Sequence, residues 1–297
     1  MKLLRIAFVL VAAAFAAVSA HAQYSCYEGN LNGKFILGGG GKKVTLNLLG
    51  AVTLEQEHNT AGYLLLDGSG NITDGKLEEE IDSTITEHTG LTGSYTFNGL
   101  NGCDGTLTVQ SSGYHRTFDL SGTSLNPTTK DVGSFSLLPN GGNGEDEVYT
   151  AEKSVDPPGG CNAEMLDNVS FGGTIDGGTG GNTTKGRFRT TFHNTVSGAT
   201  VSVTEIDIVN GTLQPTATKT YPAFVNFDCS VEIYSDTSYS NKIGEAQLGA
   251  SPTSSATSEA IKPAISPAAS PAVPWNSMYW EEREGKWGKG NYQDWIL

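Results

Sequence analysis

Cationic side chains are scarce in this chain: 18 Lys and Arg stand against 32 Asp and Glu, a net charge of −14. Such a surface repels phosphate, which disfavours a nucleic-acid partner and docking onto an anionic membrane. Long apolar runs are absent beyond the N-terminal stretch, so no later transmembrane segment is expected. Over residues 26–137 no stretch shows a sustained helical period with caps. Cysteine is limited to Cys26, Cys103, Cys161 and Cys229, far apart and without a C-x-x-C pair, so a zinc centre is not expected. A G-x-S-x-G elbow is missing, which leaves an α/β-hydrolase nucleophile unsupported. The run Gly38 to Lys43, GGGGKK, lacks the Ser or Thr and the following helix that a phosphate loop needs. No pattern calls for a cofactor.

What is abundant is glycine, 38 of 297 residues, while apolar residues make up 37%. That balance favours many turns and short strands. The stretch from Gly62 to Val109 shows the plan: short alternating apolar runs joined by Asp-Gly, Ser-Gly-Asn and Asn-Gly turns. On either side Val44, Leu46 and Leu48, then Tyr114, Phe118 and Leu120, then Phe135 and Leu137 keep a period of two. Period two with frequent turns predicts an all-β fold: an antiparallel up-and-down barrel, a lipocalin-like meander, or a β-sandwich.

Met1 to Ala22 reads as a secretory leader, with Lys2 and Arg5, an apolar core and an Ala20-His21-Ala22 cleavage site. Its loss removes two positive charges and takes the net charge from −14 to −16. The expected organisation is a leader over 1–22, a β domain over 23–138 and a linker over 139–160. A diverged second β domain then spans 161–250, an Ala/Ser/Pro linker 251–274, and a Trp-rich tail 275–297. The Pro-rich linker cannot bury a core. The tail holds Trp275, Trp280, Trp287 and Trp295, and reads either as an unstructured end or as a docking peptide.

The two β regions look like diverged copies. Cys26 is followed by Phe35 and later by Cys103 just before a strand; Cys161 is followed by Phe171 and later by Cys229 just before a strand. Four cysteines in an oxidising compartment suggest disulfides, with three possible connectivities. If the copies are real, the simplest pairing is Cys26–Cys103 and Cys161–Cys229, each worth about 4 kcal/mol on a chain-entropy estimate. In copy two, Val201 and Val203 share one parity and Ile206 and Ile208 the other, which a bulge near Glu205 would explain.

Cys26 with Leu31-Asn32-Gly33-Lys34-Phe35, then Asp67-Gly68-Ser69-Gly70-Asn71, then Gly93-Ser94-Tyr95-Thr96, then Cys103-Asp104-Gly105-Thr106-Leu107 resembles a family of secreted bacterial β-rich proteins. That family carries the pattern C…LxGxY…DGxGN…GxYT…DCxGTLT. The likeness covers residues 26 to 137, and Asn226-Phe227-Asp228-Cys229 looks like its cysteine element in copy two. It implies export and a β fold, and assigns no activity. Here Cys103 precedes Asp104, the reverse of the family order, and copy two has no DGxGN turn.

Several constellations bear chemistry. Asp67, Ser69, Asn71, Thr73 and Glu78 follow the spacing of an oxygen-lined Ca²⁺ loop, although Ile72 stands where that loop needs Gly; the plainer reading is a hairpin turn. Glu78, Glu79, Glu80, Asp82 and Glu87 could contain a glycosidase pair, or form a solvated strand face. His58 and His88 each follow a Glu and precede a turn; they could share a metal or act as a base, but read as loop histidines. His115 and His193 have no evident partner. Phe35, Tyr63, Tyr95, Phe97 and Phe118 are the side chains expected to point inward, where small barrels are filled.

The reading that follows is an exported, non-enzymatic binding or surface-interaction protein whose partner is a small molecule or an envelope component. The alternatives are a structural envelope protein docking through its Trp-rich tail and a polysaccharide hydrolase using the acidic run.

Overall fold

In a computed structural model, the chain is all-β and antiparallel, and is described for residues 26–46, 52–81, 84–98, 103–126, 131–140, 145–157, 159–177, 184–195, 198–250, 275–282 and 286–292. The expected leader and the 251–274 linker lie outside these residues. The first copy opens with a 3-10 turn, Glu28–Asn30. It continues with β1 (Asn32–Leu46), β2 (Val52–Asp67), β3 (Asn71–Ile81), β4 (Thr84–Thr89), β5 (Thr92–Phe97), β6 (Asp104–Ser111), β7 (Tyr114–Leu125), β8 (Val132–Pro139) and β9 (Glu145–Ser154). Successive strands pair, except β4 with β5, and β9 returns to pair with β1. β4 and β5 both lie along β3, in one register interrupted at Gly90–Leu91. They count as one stave, so the nine strands close an eight-stave barrel.

The second copy repeats this plan. After a 3-10 turn (Ala163–Leu166) come β10 (Ser170–Gly177), β11 (Thr184–Thr195), β12 (Gly198–Val209), β13 (Thr212–Leu213), β14 (Ala217–Val225), β15 (Ser230–Tyr234), β16 (Lys242–Ala250), β17 (Trp275–Glu282) and β18 (Lys286–Tyr292). Here β13 and β14 share β12 as β4 and β5 share β3, and β18 pairs with β10 to close the ring. Cys26 is bonded to Cys103 and Cys161 to Cys229, the pairing that the repeat implied. Each bond ties the start of a barrel to the entry of its fifth stave.

Three expectations are corrected. Residues 139–160 are not merely a linker, because β9 lies within them and supplies the closing stave. The Trp-rich segment is not a free tail: β17 adds to β16, and β18 bridges β17 and β10. Glycine and charge made both stretches look unstructured, yet a closing strand needs only hydrogen-bonded partners on both sides. Finally, β11 pairs with β12 without a break from Thr184↔Val209 to Thr195↔Gly198, so no bulge occurs there at Glu205. The parity switch has a simpler cause: Ile206 and Ile208 face solvent, at 45% and 44% exposure.

The two barrels have separate cores. Phe35, Leu64, Tyr95, Leu107, Phe118, Phe135 and Tyr149 fill the first, and Phe171, Phe188, Phe192, Val201, Val231 and Leu248 lie in the second. Of the five side chains expected inside, Phe35, Tyr95 and Phe118 are buried there and Phe97 packs partly against them. Tyr63 points instead to a third cluster, with Ile36, Ala61 and Tyr279, on the seam between the barrels. The four-glycine run belongs to this seam. A Cβ on Gly38 would fall 2.6 Å from the Tyr279 ring, so the missing side chain is the seat for that tyrosine. Val155 N donates to Ala250 O and Ala250 N to Ser154 Oγ, which ties the two barrels by backbone as well.

Gly38→Leu should therefore cost about 1–3 kcal/mol through overpacking, read from urea unfolding; an unchanged midpoint would overturn the seat. Deleting residues 275–297 removes both closing strands of the second barrel. It should leave β10 and β16 as open edges and give an aggregating protein without a cooperative melt; a monomeric, cooperatively melting truncation would refute the closure.

Candidate functional site

Alternation along each strand sends every second side chain into the lumen. In the first barrel that parity selects His58 on β2, Leu77 and Glu79 on β3, His88 on β4, Tyr114, Arg116 and Phe118 on β7, and Glu147 and Tyr149 on β9. One end of the lumen is thus apolar and the other carries a layer of charge. His58 Nδ1 hydrogen-bonds Glu147 Oε1, and its Nε2 lies 3.3 Å from Glu79 Oε1. Arg116 donates to Glu147 Oε2 at 2.8 Å, to Glu79 Oε1 at 3.3 Å and to the Tyr149 hydroxyl at 3.1 Å. Tyr149 in turn donates to Glu147 Oε2 at 2.5 Å. His88 Nε2 sits 3.2 Å from Glu79 Oε2, and its ring stacks 4.2 Å from Tyr114.

The charges in this layer compensate each other. Burial by itself would lower the His58 pKa, but its hydrogen bonds to Glu147 and Glu79 outweigh that and raise it. Burial would raise Glu79; the His58 hydrogen bond and the His58, Arg116 and His88 charges hold it down at about 2. Glu147 is lowered against burial in the same way, by His58, Arg116 and the Tyr149 hydroxyl. When His58 is protonated, it and Arg116 face Glu79 and Glu147 as two cations and two anions. A proton donor at neutral pH needs a raised carboxyl, and neither glutamate supplies one. Among the described residues, the void lined by Leu37, Leu64, Leu77, Phe118 and Tyr149 in the first barrel is about 10 Å³, and the one lined by Phe192, Val201, Val203 and Met278 in the second is also about 10 Å³. Such a space admits about one water.

A second ionic cluster lies outside both lumens, on the seam. Lys242 Nζ contacts Glu78 Oε2 and Glu245 Oε2, the latter at 2.8 Å. Lys76 Nζ lies 3.0 Å from Glu245 Oε1 and 3.3 Å from Glu87 Oε2. Glu78 and Glu245 are 0% and 1% exposed. Burial and the adjoining Glu78 carboxyl raise the Glu245 pKa, while Lys242 and Lys76 oppose the rise. Nearby, Lys34 Nζ donates to Asp156 Oδ1 at 2.6 Å and to Asp228 O at 2.7 Å.

The sequence-marked residues are placed differently from their expected groupings. Asp67 spends its carboxylate on its own turn: Oδ1 accepts Ser69 N and Asn71 N, and Oδ2 accepts the Asn71 amide. Gly68 and Gly70 supply the positive φ that this turn requires. Glu78 lies seven residues along β3 from Asn71, about 23 Å at strand rise, so the Asp67–Ser69–Asn71–Glu78 set does not converge. The acidic run splits by parity: Glu79 points into the lumen, Glu78 is on the seam, Glu80 accepts from Asn59, and Asp82 lies outside the described residues. His58 and His88 are on strands rather than in loops, and they converge on Glu79. Arg116, Glu147 and Tyr149 escaped notice in the sequence, although Val148 is exposed where Glu147 and Tyr149 are buried. Glu147, Tyr149 and Ala151 do alternate, a strand signal hidden inside the supposed linker.

No family model matches this chain, and no curated protein matches it. Among solved structures it resembles a protein of unknown function from the DUF3598 family of Nostoc punctiforme, at 8% identity and a TM-score of 0.22, over 92% of this chain and 99% of that one. A likeness at that level carries nothing about activity.

The luminal charges fix a pH profile. His58 is raised above its ordinary 6.5, so its stabilisation is complete below 6.5 and lost as pH rises through the higher folded value. Glu79 is lowered from 4.5, so its share is complete above 4.5 and lost as pH falls toward about 2. Stability should peak between these limits, and His58→Gln should shrink the alkaline-side loss in urea melts across pH. An unaltered profile would overturn the ionic account. Arg116→Met, which leaves buried carboxylates uncompensated, should cost about 3–5 kcal/mol.

Proposed function

We propose that this protein is an exported, non-catalytic surface-interaction protein that works through the outside of its double barrel. The observation that carries the reading is the filling of both lumens, each with a void of about 10 Å³. Neither void reaches the few hundred Å³ of a small-molecule site, which favours a partner met outside the two lumens; the one roomier hollow among the described residues, about 400 Å³ beside Thr92, Gln110, Tyr114 and His115, is open to solvent. Export is supported by the two disulfides, which belong to an oxidising compartment, and by the leader-like N-terminus. The likeness to secreted bacterial β-rich proteins points the same way.

The outer face best suited to a partner is the corner made by β11, β12 and β13. Along β11, Lys185, Arg187 and Arg189 are exposed at alternate positions, in register with Ile208, Ile206 and Thr204 of β12. Leu213, opposite Ile208 on β13, is 66% exposed. Apolar side chains beside a cationic row are unusual on so acidic a chain, and such patches mark interaction sites. The partner that fits is an envelope component with apolar and anionic groups.

A non-catalytic role is supported by the state of the carboxylates. Glu79 and Glu147 are buried and neutralised by His58 and Arg116, and Glu78 is locked on the seam by Lys242. None of them forms an acid and base pair across an open cleft of the kind a glycoside hydrolase uses.

Ile206→Asp combined with Leu213→Asp should reduce retention of the purified protein on the producing cell's envelope fraction at least tenfold while leaving the melting curve unchanged. Undiminished retention would reject this corner as the contact. Saturable binding of a lipophilic fluorophore that is displaced by lumen substitutions would reject the filled-lumen premise itself.

A further inference from the structure

Where β3 of the first barrel faces β16 of the second, two buried glutamates meet. Glu78 and Glu245 are 0% and 1% exposed, and their carboxyls lie within hydrogen-bond reach of each other. Two ionised carboxylates offer only acceptors, so a bond between them needs a proton. Like charge also presses from both sheets. Glu78 is directly opposite Glu87 of β4, and Glu245 is directly opposite Glu232 of β15 and Glu281 of β17. Lys242 Nζ contacts Glu78 Oε2, Glu245 Oε2 and, at 3.8 Å, Glu232 Oε1; Lys76 Nζ serves Glu245 Oε1 and Glu87 Oε2. Tyr234 donates to Glu232, Glu80 accepts from Asn59, and Lys34 pairs with Asp156 over the Tyr63 ring. Glu78, Glu87, Glu232 and Glu245 thus face Lys76 and Lys242, a charge of −2 when all six are ionised.

We propose that Glu78 and Glu245 share one proton across the seam, and that this proton is a pH-sensitive latch between the barrels. Held, the proton turns a repulsion between the two barrels into a hydrogen bond. It also gives a donor to Glu78 Oε1, which is buried and accepts no hydrogen bond. Released to solvent past Glu87, which is 41% exposed, it leaves two buried anions facing each other from opposite barrels. The lysines make one proton enough, because with it three carboxylates face two ammonium groups.

Burial and the adjoining Glu78 carboxyl raise Glu245 to about 7, against the pull of Lys242 and Lys76. The folded value lies above the ordinary 4.5. The latch's share of stability is therefore complete below 4.5 and is lost as pH rises through about 7. His58 also loses its share on the alkaline side, but it sits in the first lumen and pairs with Glu79 and Glu147. The two losses are separable by place: His58 acts within one barrel, and the latch acts between the two.

The test follows amide hydrogen exchange in the full mature chain with both disulfides intact. Val155 and Ala250 report on the seam, because their N–H groups donate to Ala250 O and Ser154 Oγ across it. Their protection, corrected for the intrinsic pH dependence of exchange, should fall roughly tenfold or more between about pH 6 and about pH 8.5. Glu245→Gln, which keeps the shape of the neutral carboxyl and adds a donor, should abolish that fall; His58→Gln should leave it in place. Infrared spectra of the unsubstituted protein should show a protonated-carboxyl band at about pH 6 that is gone at about pH 8.5. Protection at Val155 and Ala250 that ignores pH would overturn the proposal, as would a fall that survives Glu245→Gln. So would the lack of the carboxyl band, a result that does not depend on any variant folding.

Discussion

Ring closure is the constraint on which this structure rests. A β-strand satisfies its backbone only when both edges are paired, and an eight-stave meander achieves that when its last strand returns to its first. Here β9 closes on β1 and β18 on β10. Closure explains why residues of low apolar content, such as those of β9 and β18, are structured at all. It also explains where each disulfide sits. Cys26 and Cys161 stand just ahead of a first stave, and each is bonded to the residue before the fifth, so the bond spans the ring instead of reinforcing a hairpin.

With both rings closed and both lumens filled, the outer faces become the means of joining the copies. The outer side of β1 is stripped to glycine where Tyr279 arrives, and Ile36, Ala61 and Tyr63 complete the apolar contact. Around this contact lie Lys34, Lys76, Lys242 and their carboxylate partners. Charged groups are tolerated there because Lys76 meets Glu245 and Lys242 meets Glu78 across the seam, while Lys34 meets Asp156 in the segment between the barrels. A seam built on ion pairs of this kind is specific about which faces meet, though its net contribution to stability is small.

The copies share topology but not interior chemistry. Both have the 3-10 entry turn, the bonded cysteine and the interrupted fourth stave. Among the described residues the first carries the His58–Glu79–Arg116–Glu147 layer, whereas the void of the second is lined by Thr190, Phe192, Tyr221 and Met278. The first barrel has a charge-balanced plug at one end of its core, and the described core of the second is apolar, with the cationic and apolar corner outside.

The pattern of residues along the chain determined the strands, the turns and the duplication. Period-two alternation and Asp-Gly or Asn-Gly turns act between neighbours, and the Cys-to-Phe spacing repeats in the chain itself. Only the tertiary structure decided the closing strands and the charge clusters. His58 and Glu147 are 89 residues apart, and Glu78 and Lys242 are 164 apart. Contacts of that range leave no periodic trace in either segment, because each partner obeys only the alternation of its own strand. That is why Glu147 was hidden in an apparent linker, and why an acidic run with one local explanation divides into a luminal residue and a seam residue. A shift of one position in a strand reverses the face, and which face meets which partner is settled when the barrels close and dock.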